Sequence, residues 1–132
     1  MKDYLKKTDW DNYYKKPSKI AGFTRSITQK KINNHIEKFK PNNSNISIHE
    51  MGGANSCFID GILKAFPNCK YRISDNNIFG INLSKKKFSQ FKNISIEQTD
   101  ILNEDLSSQS DVIFSVGLIE HFNKLETATM IK

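Results

Sequence analysis

At 132 residues, with 37% hydrophobic and 26% charged residues, the chain has ordinary globular composition and enough length for one modest core. No apolar run approaches the roughly 20 residues that span a bilayer, and Met1-Lys2-Asp3-Tyr4-Leu5 lacks the apolar core of a signal peptide, so the expectation is one cytoplasmic domain. The net charge of +6 belongs to one end: residues 1–40 carry 11 Lys and Arg against 4 Asp and Glu, and the remainder 9 against 10, which argues against a nucleic-acid substrate for that remainder.

In the basic segment Tyr4, Trp10, Tyr13, Tyr14 and Phe23 interleave with Lys6, Lys7, Lys15, Lys16 and Arg25 without clean periodicity. Such a mixture can stack bases, close over a pocket or simply dock the segment, and the three readings stay open. Next, Ser26-Ile-Thr-Gln29 has capping-box spacing, and Ile27, Ile32, Ile36 and Phe39 lie near helical period, which predicts a helix over residues 26–40. The polar cluster Pro41-Asn-Asn-Ser-Asn45 then divides an N-terminal helical cap segment, 1–44, from an α/β unit, 45–132.

That unit opens with Ile46-Ser-Ile-His-Glu50, an alternating run that breaks into Met51-Gly52-Gly53-Ala54-Asn55-Ser56. This reads as the first strand, tight turn and helix start of a nucleotide-binding unit, with glycines that admit close backbone approach and an asparagine that tolerates left-handed geometry. Asn55 and Ser56 are candidate caps; Phe58, Ile59, Ile62, Leu63 and Phe66 form one apolar face, and Pro67 stops the helix. Lys70-Tyr-Arg-Ile-Ser-Asp75 is a second strand, Leu83, Phe88 and Phe91 mark a second helix, and Ile94-Ser-Ile96-Glu-Gln-Thr-Asp100 is a third strand. Asp111-Val-Ile-Phe-Ser-Val116 is a continuous apolar strand of the kind buried on both faces. Four strands with helical connections predict a doubly wound, mostly parallel α/β sheet. Cys57 and Cys69 sit in apolar contexts without CxxC spacing or a His pair, so buried reduced thiols are expected and no metal site. His35 falls on a helix surface and His49 inside a strand, and neither is given a role.

Acids end three successive strands. Glu50, Asp75 and Asp100 converge at the carboxyl edge of the sheet, where open α/β sheets bind ligands, and a carboxylate there suits the paired hydroxyls of a ribose.

The turn Glu50-Met-Gly-Gly-Ala-Asn-Ser56, the acids after the second and third strands, and Val112-Ile-Phe-Ser-Val-Gly-Leu-Ile-Glu-His-Phe122 resemble the first four motifs of class I S-adenosylmethionine-dependent methyltransferases. The resemblance covers about residues 45–125 and implies that family's Rossmann-like fold and cofactor. It implies Gly52 and Gly53 against the methionine part with Glu50 near its amino group and Asn55 in the turn, Asp75 on the ribose, and Asn76 beside the adenine. Asp100 and Ile101 would meet the adenine edge, while Ser115, Val116, Gly117 and Leu118 would close near the sulfonium. Phe79-Gly-Ile-Asn82 offers a competing register that would put Asn82 on the ribose; the charge and spacing of Asp75 favour it. His121 is the candidate base or acceptor-orienting group, with Glu120 as an orienting acid.

The family's sheet has about seven strands, and four are legible here, so the resemblance implies a C-terminal truncation or a partner that completes the sheet. The implied activity is methyl transfer to a small molecule, such as a saccharide or lipid-linked intermediate. A non-catalytic or truncated cofactor-binding fragment and a nicotinamide-dependent oxidoreductase are the alternatives.

Overall fold

The computed structural model describes residues 8–15, 21–42, 45–103 and 110–131; Tyr4, Lys6, Lys7 and Lys16 lie outside them. The strands are β1 (Ser47–Met51), β2 (Lys70–Asp75), β3 (Ile94–Gln98) and β4 (Val112–Ser115), all parallel in the order β3-β2-β1-β4. The helices are α1 (Trp10–Lys15), α2 (Ala21–Phe39), α3 (Ile59–Ala65), α4 (Ile78–Phe88) and α5 (Lys124–Ile131), with 3₁₀ turns at Ile101–Asn103 and Ile119–His121. The chain winds outward from β1 to β3 and then returns to the far side of β1 for β4. The order of the strands therefore reverses between β1 and β4, and a crevice opens outside their carboxyl ends.

Burial follows this order. The two inner strands supply Ile48, Tyr71 and Ile73, against which Ile36 of α2, Ile59 and Ile62 of α3 and Ile81 of α4 pack, all with at most 1% exposure. β-Branched side chains suit such a pleated, two-sided core. All four residues of β4, expected to be buried on both faces, are half-buried instead, because among the described residues only β1 pairs with this strand. An apolar groove of about 320 Å³ runs between β4 and α2, lined by Ile32, Ile36, Phe39 and Phe114 among others.

Several boundaries differ from the sequence-based expectation. Helix α2 starts at Ala21, which puts Ser26 inside the helix instead of at its cap. Its inward stripe docks on α3 and the core: Ile36 is buried, Ile32 packs on the core, Gln29 lies against Gly61, and Asn33 Nδ2 donates to Gly61 O at 3.4 Å. Asn55 does not cap α3 but takes the left-handed conformation, φ 52°, and Ser56 Oγ accepts from the Phe58 amide at 3.2 Å, one step before the helix. Asn82 lies exposed in the middle of α4, so the competing register for β2 is lost. Phe91 falls beyond α4, where it packs on Phe88. Cys69 is buried as expected, whereas Cys57 is exposed, because the chain turns outward there before entering α3; both are free thiols.

Helix α4 is held close to the turn after β1. Asn77 Oδ1 accepts from the Gly80 amide at 2.7 Å and caps the helix, and a Cβ on Gly80 would stand 2.6 Å from the Ala54 Cβ. Ala54 is fixed by its own backbone and cannot swing away. Gly80→Ala is therefore expected to lower stability by about 1–2 kcal/mol despite alanine's better helix propensity, read as a lower urea midpoint at unchanged slope.

Candidate functional site

Both strands that flank the reversal point end in a glycine of left-handed conformation, Gly52 after β1 and Gly117 after β4, each at φ 68°. The two turns meet: a Cβ on Gly52 would lie 2.9 Å from Leu118 Cδ1. A Cβ on Gly53 would lie 2.7 Å from the Glu50 Cδ, so the glycine lets the acid's side chain fold beneath the turn. The turn is tied to its neighbours by the Gly52 amide donating to Ser74 O at 2.8 Å, the Ala54 amide to Asp75 Oδ2 at 3.1 Å, and the Asn55 amide to Ser84 Oγ at 2.9 Å.

The three strand-end acids differ in environment. Glu50 is 3% exposed and accepts from the Tyr71 hydroxyl at 2.7 Å. Burial pushes its carboxyl up to about 7, hydrogen bonds from Ser56 and Tyr71 act in the opposite direction, and the Asp75 charge adds to the rise. Asp75, also buried, uses both oxygens on backbone amides: Oδ2 on Ala54, and Oδ1 on Asn77 at 2.8 Å. Each oxygen keeps a second lone pair for a ligand. Asp100 is exposed and caps the first 3₁₀ turn, accepting from the Leu102 amide at 3.1 Å and Asn103 Nδ2 at 2.7 Å.

Helix α1 lies across this crevice. On one side Asn77 Nδ2 donates to Asp11 Oδ1 at 2.9 Å, the Lys15 ammonium sits 5.3 Å from the Phe79 ring centre, and the Tyr14 ring approaches Gly80. On the other side Trp10 meets His121 edge-on at 4.6 Å between ring centres, and Thr8 Oγ1 lies 3.5 Å from His121 Nδ1. Trp10, Tyr13 and Tyr14 also pack on one another. In the segment's described part, α1 docks on the domain and its aromatic side chains line the cleft. Burial, and after it the Asp75 charge, hold the Tyr14 phenol well above its ordinary pKa, so it stays a neutral hydroxyl.

The cleft measures about 720 Å³. Glu50, Gly52, Gly53, Asn55, Asp75, Asn76, Asp100, Ile101, Val116, Gly117, Glu120 and His121 all line it. Ser115 does not: still paired with Met51 in the sheet, it lines the apolar groove beside β4. The cleft also takes in Trp10, Tyr13, Tyr14, Arg25 and Leu102, none of which the motifs marked. Their aperiodic spacing carried no signal of where α1 would dock; only Arg25, seven residues before Ile32 and eleven before Ile36, sat on a stripe that could have been followed inward.

No protein-family model and no curated protein matches the sequence. Solved structures do match. PKMT2 from Rickettsia typhi, in complex with AdoHcy, superposes with a TM-score of 0.60 at 18% identity over 67% of this chain. The N-methyltransferase NodS from Bradyrhizobium japonicum WM9, in complex with S-adenosylhomocysteine, gives 0.59 at 18% over 77%, and the CurJ carbon methyltransferase 0.62 at 23% over 80%. The chain has the methyltransferase fold. It spans 18%, 52% and 30% of those three chains respectively, about half their length at most. In this chain the order β3-β2-β1-β4 brings the glycine turns and the acids Glu50, Asp75 and Asp100 to one cleft. Among the described residues no helix is long and apolar enough to cross a membrane, and no group of His, Cys, Asp and Glu could hold a metal ion.

Proposed function

We propose that the cleft binds S-adenosylmethionine and that the chain is the cofactor-binding part of a methyltransferase acting on a small molecule. The observation that carries this reading is the convergence of Glu50, Asp75 and the two glycine turns on one cleft at the reversal point of a sheet with the methyltransferase fold. The chemistry of the lining fits the ligand. Four carboxylates, Glu50, Asp75, Asp100 and Glu120, suit a molecule with a cationic centre and a ribose diol.

In this reading Asp75 accepts from the ribose hydroxyls, Asn76, Asp100 and Ile101 border the adenine, and Glu50 faces the amino group. Asn55, Val116 and Gly117 complete the backbone cradle. The bound cofactor supplies an activated methyl group, and the protein's part is to align the acceptor and exclude water. His121, held by Trp10 and Thr8 under the roof of α1, orients the acceptor or takes its proton, with Glu120 beside it. The half-buried strand β4 and its apolar groove support a further strand docking there, from a continuation of the chain or from a partner. A saccharide or lipid-linked acceptor and a cytoplasmic location belong to the same proposal.

A thermal-melt panel tests it. S-adenosylhomocysteine at about 100 times its Kd adds about 2.7 kcal/mol to stability and raises the midpoint by several degrees, whereas NAD leaves it unchanged. A shift with NAD and none with S-adenosylhomocysteine would replace this reading with a dehydrogenase one.

A further inference from the structure

One cation in the cleft has no partner among the described residues. The lining contains two Lys or Arg side chains among the described residues, and Lys87 is already engaged by Asp60 at 2.9 Å. The other, Arg25, is half-buried and makes no hydrogen bond or ion pair among those residues. Its position is not that of a surface arginine. It continues the inward stripe of α2: Ile36 is buried, Ile32 packs on the core, Gln29 presses on Gly61 of α3, and Arg25 comes one turn before Gln29. That stripe leads to residues 53–58, the turn after β1, and Arg25 is close enough to Cys57 for its charge to favour the thiolate there. A half-buried guanidinium on a packed helix face, lining a cleft and unpaired among the described residues, is placed to meet an anionic group of a ligand.

We infer that Arg25 binds the α-carboxylate of the cofactor's amino-acid part, so that the cleft recognises the zwitterionic end with Glu50 on its amino group and this arginine on its carboxylate. The inference rests on the S-adenosylmethionine reading and extends it to a residue outside every motif. Charge separation within the ligand explains the layout. The carboxylate lies at the end of the amino-acid chain remote from the ribose, and Arg25 is supplied by α2, whereas Asp75 is supplied by the sheet. The planar fork of arginine matches a carboxylate with two parallel hydrogen bonds, which lysine cannot reproduce.

The test compares S-adenosylhomocysteine with 5′-methylthioadenosine, which has the same nucleoside and thioether but no amino-acid carboxylate, by titration calorimetry. Arg25→Gln is expected to raise the Kd for S-adenosylhomocysteine roughly 10–100-fold and to leave that for 5′-methylthioadenosine unchanged. Arg25→Lys recovers part of the loss. Equal affinity of Arg25→Gln and the parent chain for S-adenosylhomocysteine, or equal weakening of both ligands, would overturn the assignment. If Arg25→Gln does not fold, the ratio of the two affinities in Arg25→Lys decides by the same criterion. Failure of the parent chain to bind either ligand would instead remove the cofactor reading on which the inference rests.

Discussion

Stability is expected to fall by about 3 kcal/mol as pH rises from about 4.5 to about 7, and Glu50→Gln is expected to remove most of that fall. The cause is the buried Glu50 carboxyl, whose pKa stands at about 7 against an ordinary 4.5. Between those values the folded chain keeps a proton that the unfolded chain has lost, so stability is fully present below the lower value and lost through the upper one. The groups around Glu50 set the size of the effect: Tyr71 and Ser56 donate to it, and Asp75 repels its charge. Glutamine keeps an acceptor for the Tyr71 hydroxyl and carries no charge to bury. Urea unfolding at several pH values between 4.5 and 8 measures the slope for both proteins. A slope unaltered by the substitution would show that Glu50 is not its source. A cationic ligand near Glu50 favours the ionised form, so binding between pH 6 and 7 is accompanied by proton release.

Asp75→Ala is expected to weaken S-adenosylhomocysteine and 5′-methylthioadenosine alike, by roughly 100-fold, because both carry the ribose that two charge-assisted hydrogen bonds would hold. This pattern separates Asp75 from Arg25, whose loss spares the ligand without a carboxylate. The same substitution costs about 1–3 kcal/mol of stability, since the amides of Ala54 and Asn77 lose their acceptor. Asp75→Asn retains one carbonyl acceptor and serves where the alanine variant does not fold. An asparagine variant that melts normally and binds 5′-methylthioadenosine as tightly as the parent would remove Asp75 from the ribose.

Much of this fold was readable from period and punctuation. The β2 span Lys70–Asp75 matched to the residue, a run that follows the helix stop at Pro67 and ends in an acid. Asn55 adopted the left-handed conformation its side chain tolerates. The boundary errors came from tertiary contacts with no local signature. Ser26 looked like a cap because its spacing was right, yet the helix begins upstream of it, at Ala21, and Arg25 in that added turn already lines the cleft. The even burial expected of β4 depended on neighbours that a local apolar pattern cannot count. The strand-end acids were legible because side chains at strand termini project toward the crevice whatever the rest of the chain does. The roof was not, since Trp10, Tyr13 and Tyr14 reach the cleft only through contacts with α4 and His121, more than 60 residues away.

The most direct test of the account is titration calorimetry of the unaltered chain with S-adenosylhomocysteine and, side by side, with NAD. The expected result is saturable binding of S-adenosylhomocysteine at one site per chain, with no heat of binding from NAD. Absence of S-adenosylhomocysteine binding by a folded chain, or saturable binding of NAD in its place, would contradict the assignment of the cleft.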